Sequence, residues 1–130
     1  MVSHQLAGSR VLIVEDEYFL ADEARSILSN VGAEVLGPVA TVSAACNMIE
    51  AHPAIDGVLL DVNLGGEMAF AVADTLKERG IPFAFVTGYD PSALPERFSG
   101  ATSVAKPVRP EQLIDLFGSL AASKRAQGVA

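Results

Sequence analysis

The stretch "FAFVTGYDP" (83–91) begins as an apolar β-strand and stops at a threonine, a glycine, a tyrosine and a proline turn. A strand this apolar is buried on both faces, as in parallel sheets covered by helices. The hydroxyl at its tip, followed by the residue type that lets a backbone approach a ligand closely, points to a site at the strand's carboxyl end. The same grammar recurs along the chain. "RVLIV" (10–14) is a strand, and Leu20, Ala24, Ile27, Leu28 and Val31 then follow at helical spacing, with Gly32 as the stop. "AEVLG" (33–37) restarts a strand, "GP" turns the chain, and Val42, Ala45, Cys46 and Ile49 form a second helical stripe ending before Pro53. "IDGVLLD" (55–61) is a strand; Ala69, Ala73 and Leu76 mark a helix ending at Gly80; "IPFAFVT" (81–87) is the next strand. "TSVAK" (102–106) is a weaker fifth strand, and "RPEQLIDLFGSLAA" (109–122) is a helix with Pro110 in its first turn and Leu113, Leu116, Phe117 and Leu120 facing inward. Five βα repeats predict an α/β fold with an open parallel five-stranded sheet and helices on both faces. Pro91, Pro95 and Gly100 interrupt the fourth helix, which is expected to be short or irregular.

The 130 residues suit one domain. The single cysteine, Cys46, precludes an internal disulfide framework and fits a core position. No apolar run approaches a membrane span, and "MVSHQLAGSR" (1–10) lacks the apolar core of a secretory signal, so a soluble, cytoplasmic protein is expected. Sixteen acidic against nine basic residues give a net charge of −7, which argues against nucleic acid or an anionic membrane as partner. Residues 1–9 and the basic "SKRAQGVA" (123–130) read as flexible tails around a domain at 10–122, with no output domain expected.

Ligands of open α/β sheets bind beyond the carboxyl ends of the strands. At those ends stand Glu15 and Asp16, Asp61, Thr87 and Gly88, and Lys106 with Pro107. Three acids on one rim repel each other unless a cation neutralises them, and hard oxygen ligands without nearby histidine or cysteine favour Mg²⁺. Mg²⁺ is commonly completed by a phosphate oxygen; Lys106 can neutralise a second and the Thr87 hydroxyl can donate to a third. Asp61, at the tip of the central strand, is the expected nucleophile toward a phosphoryl donor. Each acid taken alone is better explained as a solvated loop charge; their coincidence with Thr87 and Lys106 carries the reading. His52, before Pro53, fits a helix-end dipole contact or exposure, His4 a loose tail, and Met68 and Phe70 packing or a partner-facing surface.

The set "VED" (14–16), "LLDVN" (59–63), "VTG" (86–88) and "KP" (106–107) resembles a response-regulator receiver domain of bacterial two-component signalling, over about Arg10 to Ala122. The resemblance implies a flavodoxin-like sheet of order 2-1-3-4-5. It also implies Asp61 as phosphoacceptor, Asp16 as a direct Mg²⁺ ligand and Glu15 as one through water, and completion of the metal site by the Asn63 backbone carbonyl. Thr87 then matches the switch hydroxyl and Lys106 the phosphate-binding lysine, with a cis Lys106–Pro107 bond. The expected partner is a histidine kinase or a histidine phosphotransfer protein, and the expected function is that of a single-domain regulator or phosphate sink acting through protein association. Such a domain is not an enzyme with turnover; it catalyses its own phosphorylation and dephosphorylation.

Two positions depart from the common pattern. Gly65 stands where a proline usually follows the phosphoacceptor, and Ser103 where the switch aromatic usually precedes the lysine. "FVTGY" (85–89) resembles instead the FATGUY receiver subgroup, which implies stand-alone domains in stress signalling with kinases of the HWE or HisKA2 type, and Tyr89 is expected to take the aromatic's role. Alternatives are a receiver fold used as an interaction module without phosphorylation, and an Asp-x-Asp phosphohydrolase, which Asn63 disfavours because an amide at the second position cannot titrate.

Overall fold

In the computed structural model, residues 6–88 and 94–128 are described, with side chains to 122. The elements run β1 (Arg10–Val14), α1 (Tyr18–Asn30), β2 (Glu34–Val39), α2 (Val42–Ala51), β3 (Gly57–Asp61), β4 (Asn63–Leu64), β5 (Glu67–Met68), α3 (Phe70–Glu78), β6 (Phe83–Thr87), a 3₁₀ turn at Glu96–Phe98, β7 (Thr102–Ala105) and α4 (Pro110–Gly128). The main sheet is parallel in the order β2-β1-β3-β6-β7. Counting only those strands, this is the expected 2-1-3-4-5 arrangement; β4 and β5 form a separate antiparallel pair between the third strand and its helix.

The apolar strands are apolar because each feeds two cores. Leu12, Val14, Val58, Leu60 and Phe85 face one layer, packed against Ala45 and Ile49 of α2 and Val72 and Leu76 of α3. Their neighbours Val11, Ile13, Leu59, Ala84 and Val86 face the other, with Ala24 and Leu28 of α1 and Leu113 and Phe117 of α4. Two helix starts are locally encoded. The Thr41 hydroxyl accepts from Ala44 N at 3.1 Å to cap α2, and Gln112 Oε1 accepts from Arg109 N at 3.0 Å ahead of α4, the backward half of a capping box.

Three expectations change. The chain does not turn at Gly37-Pro38: β2 continues to Val39, with an irregularity in its pairing to β1 between Leu12 and Val14. Gly37 takes φ +82°, and β2 is an edge strand, where a residue without an N–H is tolerated. The first nine residues are not all tail. Leu6 is 3% exposed within the α1/α4 core and donates its N–H to Val31 O at 2.8 Å, and Ser9 O accepts from Glu34 N. Helix α4 also continues to Gly128, through residues expected as a tail.

The interrupted fourth helix is reduced, among the described residues, to the turn at Glu96–Phe98, and one side chain secures it. Phe98 is 1% exposed, stacked on Phe70 (centroids 5.8 Å apart) and edge-on to Phe85 (5.4 Å), with the Arg97 guanidinium 4.7 Å from its own ring centre. Aromatic packing replaces the helical hydrogen bonds that the prolines deny. Phe98→Ala is expected to cost about 3–5 kcal/mol in chemical denaturation, the usual loss for a buried phenylalanine.

Candidate functional site

Strand register brings the rim residues level. Val14 pairs with Leu60 and Asp61 with Val86, so Glu15 stands beside Asp61 on one side and Thr87 follows on the other. Glu15 N donates to Val39 O at 2.9 Å, which ties the acidic pair to the end of β2. Thr87 pairs with Ala105, and its carbonyl accepts from Lys106 N at 3.0 Å, so Lys106 leaves β7 at the same height. The Lys106–Pro107 peptide is cis.

The side chains converge. Asp61 is 5% exposed; its Oδ2 accepts from Lys106 Nζ at 2.7 Å and its Oδ1 from Asn63 N at 3.0 Å. The same ammonium lies 3.3 Å from Glu15 Oε1 and 3.8 Å from Glu17 Oε2. Carboxylate oxygens of Glu15, Asp16 and Asp61 lie within 4.8 Å of one another, with Asp16 exposed and the other two buried. Such a set of hard oxygens could hold a divalent cation. One ammonium cannot neutralise all of this charge. Burial, with a hydrogen bond and Coulombic repulsion from Asp61, pushes the Glu15 carboxyl up to about 8, against the opposing pull of the Glu17 N–H and Lys106. For Lys106 burial acts to lower the pKa, but the hydrogen bond and charge of Asp61, aided by Glu15, outweigh it and raise the ammonium above its ordinary value.

Comparison with known proteins agrees with this geometry. The family described as response regulator receiver domain matches residues 11–117. The chain belongs to the response-regulator receiver family. It is similar to the phyllosphere-induced regulator PhyR of Methylorubrum extorquens, 30% identical over 106 residues that cover 79% of this chain and 40% of that protein. The chain spans under half the length of the curated relatives it matches. Among solved structures it is similar to SdrG from Sphingomonas melonis Fr1, at 34% identity and TM-score 0.74 over 86% of this chain and 95% of that one. It is also similar to the BeF3-activated conformation of SdrG from Pseudomonas melonis Fr1, at 33% identity and TM-score 0.73 over 93% and 99%.

In this receiver, Glu15, Asp16, Asp61, Asn63, Thr87 and Lys106 all lie at one end of the sheet. Thr87 is buried. Gly88 is exposed, and a Cβ added there would meet nothing within 4 Å among the described residues. Tyr89, the expected aromatic switch, and residues 90–93 of the segment after it lie outside the described residues. Ser103 pairs with Phe85, and its buried hydroxyl has no hydrogen-bond partner among the described residues. Phe70 is packed in the aromatic cluster, whereas Met68 is exposed.

Two features escaped the sequence reading. "LGGE" (64–67) is a two-residue hairpin turn: Gly65 and Gly66 take φ +63° and +96°, which β4 and β5 require at both central positions, and Gly66 N donates to Asn63 Oδ1 at 2.7 Å. A Gly-Gly pair between short segments is a recognised hairpin signal. This turn occupies the place of the usual loop proline, and a Cβ on Gly65 would lie 3.7 Å from Asp16 Oδ2. The second feature is Tyr18 and Phe19, 73% and 84% exposed and edge-on at 5.6 Å, immediately after the acidic residues. Both fall off the inward stripe of α1, which is the signal that could have marked them.

The raised Glu15 carboxyl gives a pH dependence with a definite sign. Its pKa is about 8 in the folded state against an ordinary 4.5, so between those values the folded chain binds the extra proton. Its contribution to stability is complete below 4.5 and is lost as pH rises through about 8. The melting temperature of protein kept metal-free with chelator is expected to fall from pH 5 to pH 8 (about the window those two values define). Glu15→Gln should flatten the fall.

Proposed function

We propose that this receiver accepts a phosphoryl group on Asp61 from a histidine kinase or histidine phosphotransfer protein and signals by changing its association with another protein, or drains phosphoryl groups as a sink. The observation that carries the reading is the 2.7 Å contact between Lys106 Nζ and the buried Asp61 carboxylate, with three acids gathered at the same strand ends. A carboxylate held by Asn63 N–H on one oxygen and by an ammonium on the other is oriented for in-line attack, which needs positioning and charge neutralisation more than proton transfer. Asp16, Asp61 and the Asn63 carbonyl would hold Mg²⁺ directly and Glu15 through water, and the bound ion would supply the charge neutralisation that Lys106 alone does not. Thr87, at the tip of β6, is assigned the hydrogen bond to a phosphoryl oxygen and Gly88 the open approach to it. Tyr89 is assigned the aromatic switch, in keeping with the resemblance of "FVTGY" to the FATGUY receivers, and the domain itself is assigned to 10–122, with Leu6 to Ser9 docked on it and α4 running on to Gly128. The match with SdrG supports the receiver fold on which this reading rests.

Asp61→Asn is expected to abolish mass gain on incubation with acetyl phosphate and Mg²⁺ while the fold persists by circular dichroism; full labelling of that variant would place the phosphoacceptor elsewhere. An absence of labelling in the unmodified protein would favour a phosphorylation-independent module. The exposed Tyr18 and Phe19 beside the acidic rim are suited to contact the phosphodonor protein. Changing both to alanine is expected to slow transfer from a phosphorylated kinase by roughly tenfold or more, the scale of truncating an aromatic anchor at an interface, and to leave labelling by acetyl phosphate unaltered.

A further inference from the structure

Glu17 extends the acidic sequence to three residues, "EDE" (15–17), and takes no part in the ligand set proposed above. It is the N-cap residue of α1, with extended φ/ψ of −83° and 112°, a position where short oxygen-bearing side chains normally close the first turn. Its side chain makes no capping hydrogen bond. Its carboxylate stands 3.8 Å from Lys106 Nζ, 64% exposed at the mouth of the site, while its own N–H donates to Glu15 Oε2 at 3.3 Å. The backbone of Glu17 therefore supports the acidic pair, and its side chain is directed to the ammonium rather than to the helix.

We propose that Glu17 is a positioning residue that competes with the incoming phosphoryl group for Lys106. The inference rests on the phosphoacceptor reading of Asp61. Lys106 divides its charge among Asp61, Glu15 and Glu17 at 2.7, 3.3 and 3.8 Å. A phosphoryl group needs that ammonium and brings further negative charge to the mouth where the Glu17 carboxylate stands. Of the three acids, Glu17 is the most exposed and the weakest held, so it is the one to be displaced. Lys106 also lines a cavity of about 100 Å³ together with Leu20, Val86 and Val108 among others. Glu17 thus raises the threshold for small anionic phosphodonors and for any anion bound on Asp61.

The test compares the unmodified chain with Glu17→Gln and Glu17→Ser at saturating Mg²⁺. Affinity for beryllofluoride is measured by calorimetry, the half-saturating acetyl phosphate concentration by intact mass, and melting temperature without ligand. Glu17→Gln is expected to bind beryllofluoride about two- to fivefold more tightly, the scale of one partly exposed charge contact, and to lower half-saturation for acetyl phosphate by the same factor at unchanged melting temperature. The gain should shrink in about 0.5 M salt, where the Debye length falls to a few Å. Glu17→Ser supplies a capping hydroxyl, so it should show the same ligand gain together with a higher melting temperature; a merely structural role would tie the two readouts together. Equal beryllofluoride affinity in all three proteins, or a gain that follows melting temperature across the variants, overturns the competition. A failure of the unmodified chain to bind beryllofluoride or to label at all is a different result: it removes the phosphoacceptor reading, and this inference with it.

Discussion

The contact between Lys106 and Asp61 is the constraint from which the rest of the site follows. A carboxylate 5% exposed at the tip of a central strand is costly unless it is paired, and the partner arrives from 45 residues further along the chain at 2.7 Å. That meeting requires β6 to lie between β3 and β7, in parallel and in register, because only then does Lys106 leave its strand at the height where Asp61 ends. The pair also sets the charge problem of the site. With Asp61 holding the ammonium most closely, Glu15 is left buried with too little compensation, and its carboxyl rises to about 8.

Two local devices shape the surroundings of that pair. After Asp61 the chain folds back through Gly65 and Gly66 into a two-residue hairpin, so the segment beside Asp16 is fixed by backbone geometry rather than by a proline. Its Asn63 contributes twice, through a backbone N–H on Asp61 Oδ1 and a side-chain oxygen on Gly66 N. On the other flank, the place usual for a switch aromatic holds Ser103, and the aromatic mass sits deeper, in Phe70, Phe83, Phe85 and Phe98. Phe98 anchors the turn that replaces a regular helix, which keeps that layer closed while the chain before it carries two prolines.

The surface beside the site has a mixed character. Asp16 and Glu17 are exposed and acidic, whereas Tyr18 and Phe19 are exposed and aromatic, so four successive residues present first charge and then apolar area to solvent. Under the proposed function, a protein donor can use both kinds of surface, while a small anionic donor meets only the charge. Selection among donors would then arise at the mouth of the site and not in the reacting groups.

Much of this was legible in the sequence. The apolar runs at 10–14, 55–61 and 81–87 announced buried strands, the 3.6-residue stripes announced the helices between them, and Glu15, Asp16, Asp61, Thr87 and Lys106 stood at the strand ends because a strand's last residue can be read from where its apolar run stops. Tertiary structure alone decided what depends on partners distant in the chain. Pro38 looked like a turn because proline lacks an N–H, and only the edge position of β2 shows why a strand can pass through it. Leu6 looked like tail because nothing near it is periodic, yet it is buried against α1 and α4. The role of Glu17 depends on where Lys106 places its ammonium: local sequence sets backbone conformation and burial pattern, but the length and direction of a side-chain contact are fixed only when the sheet has closed its register.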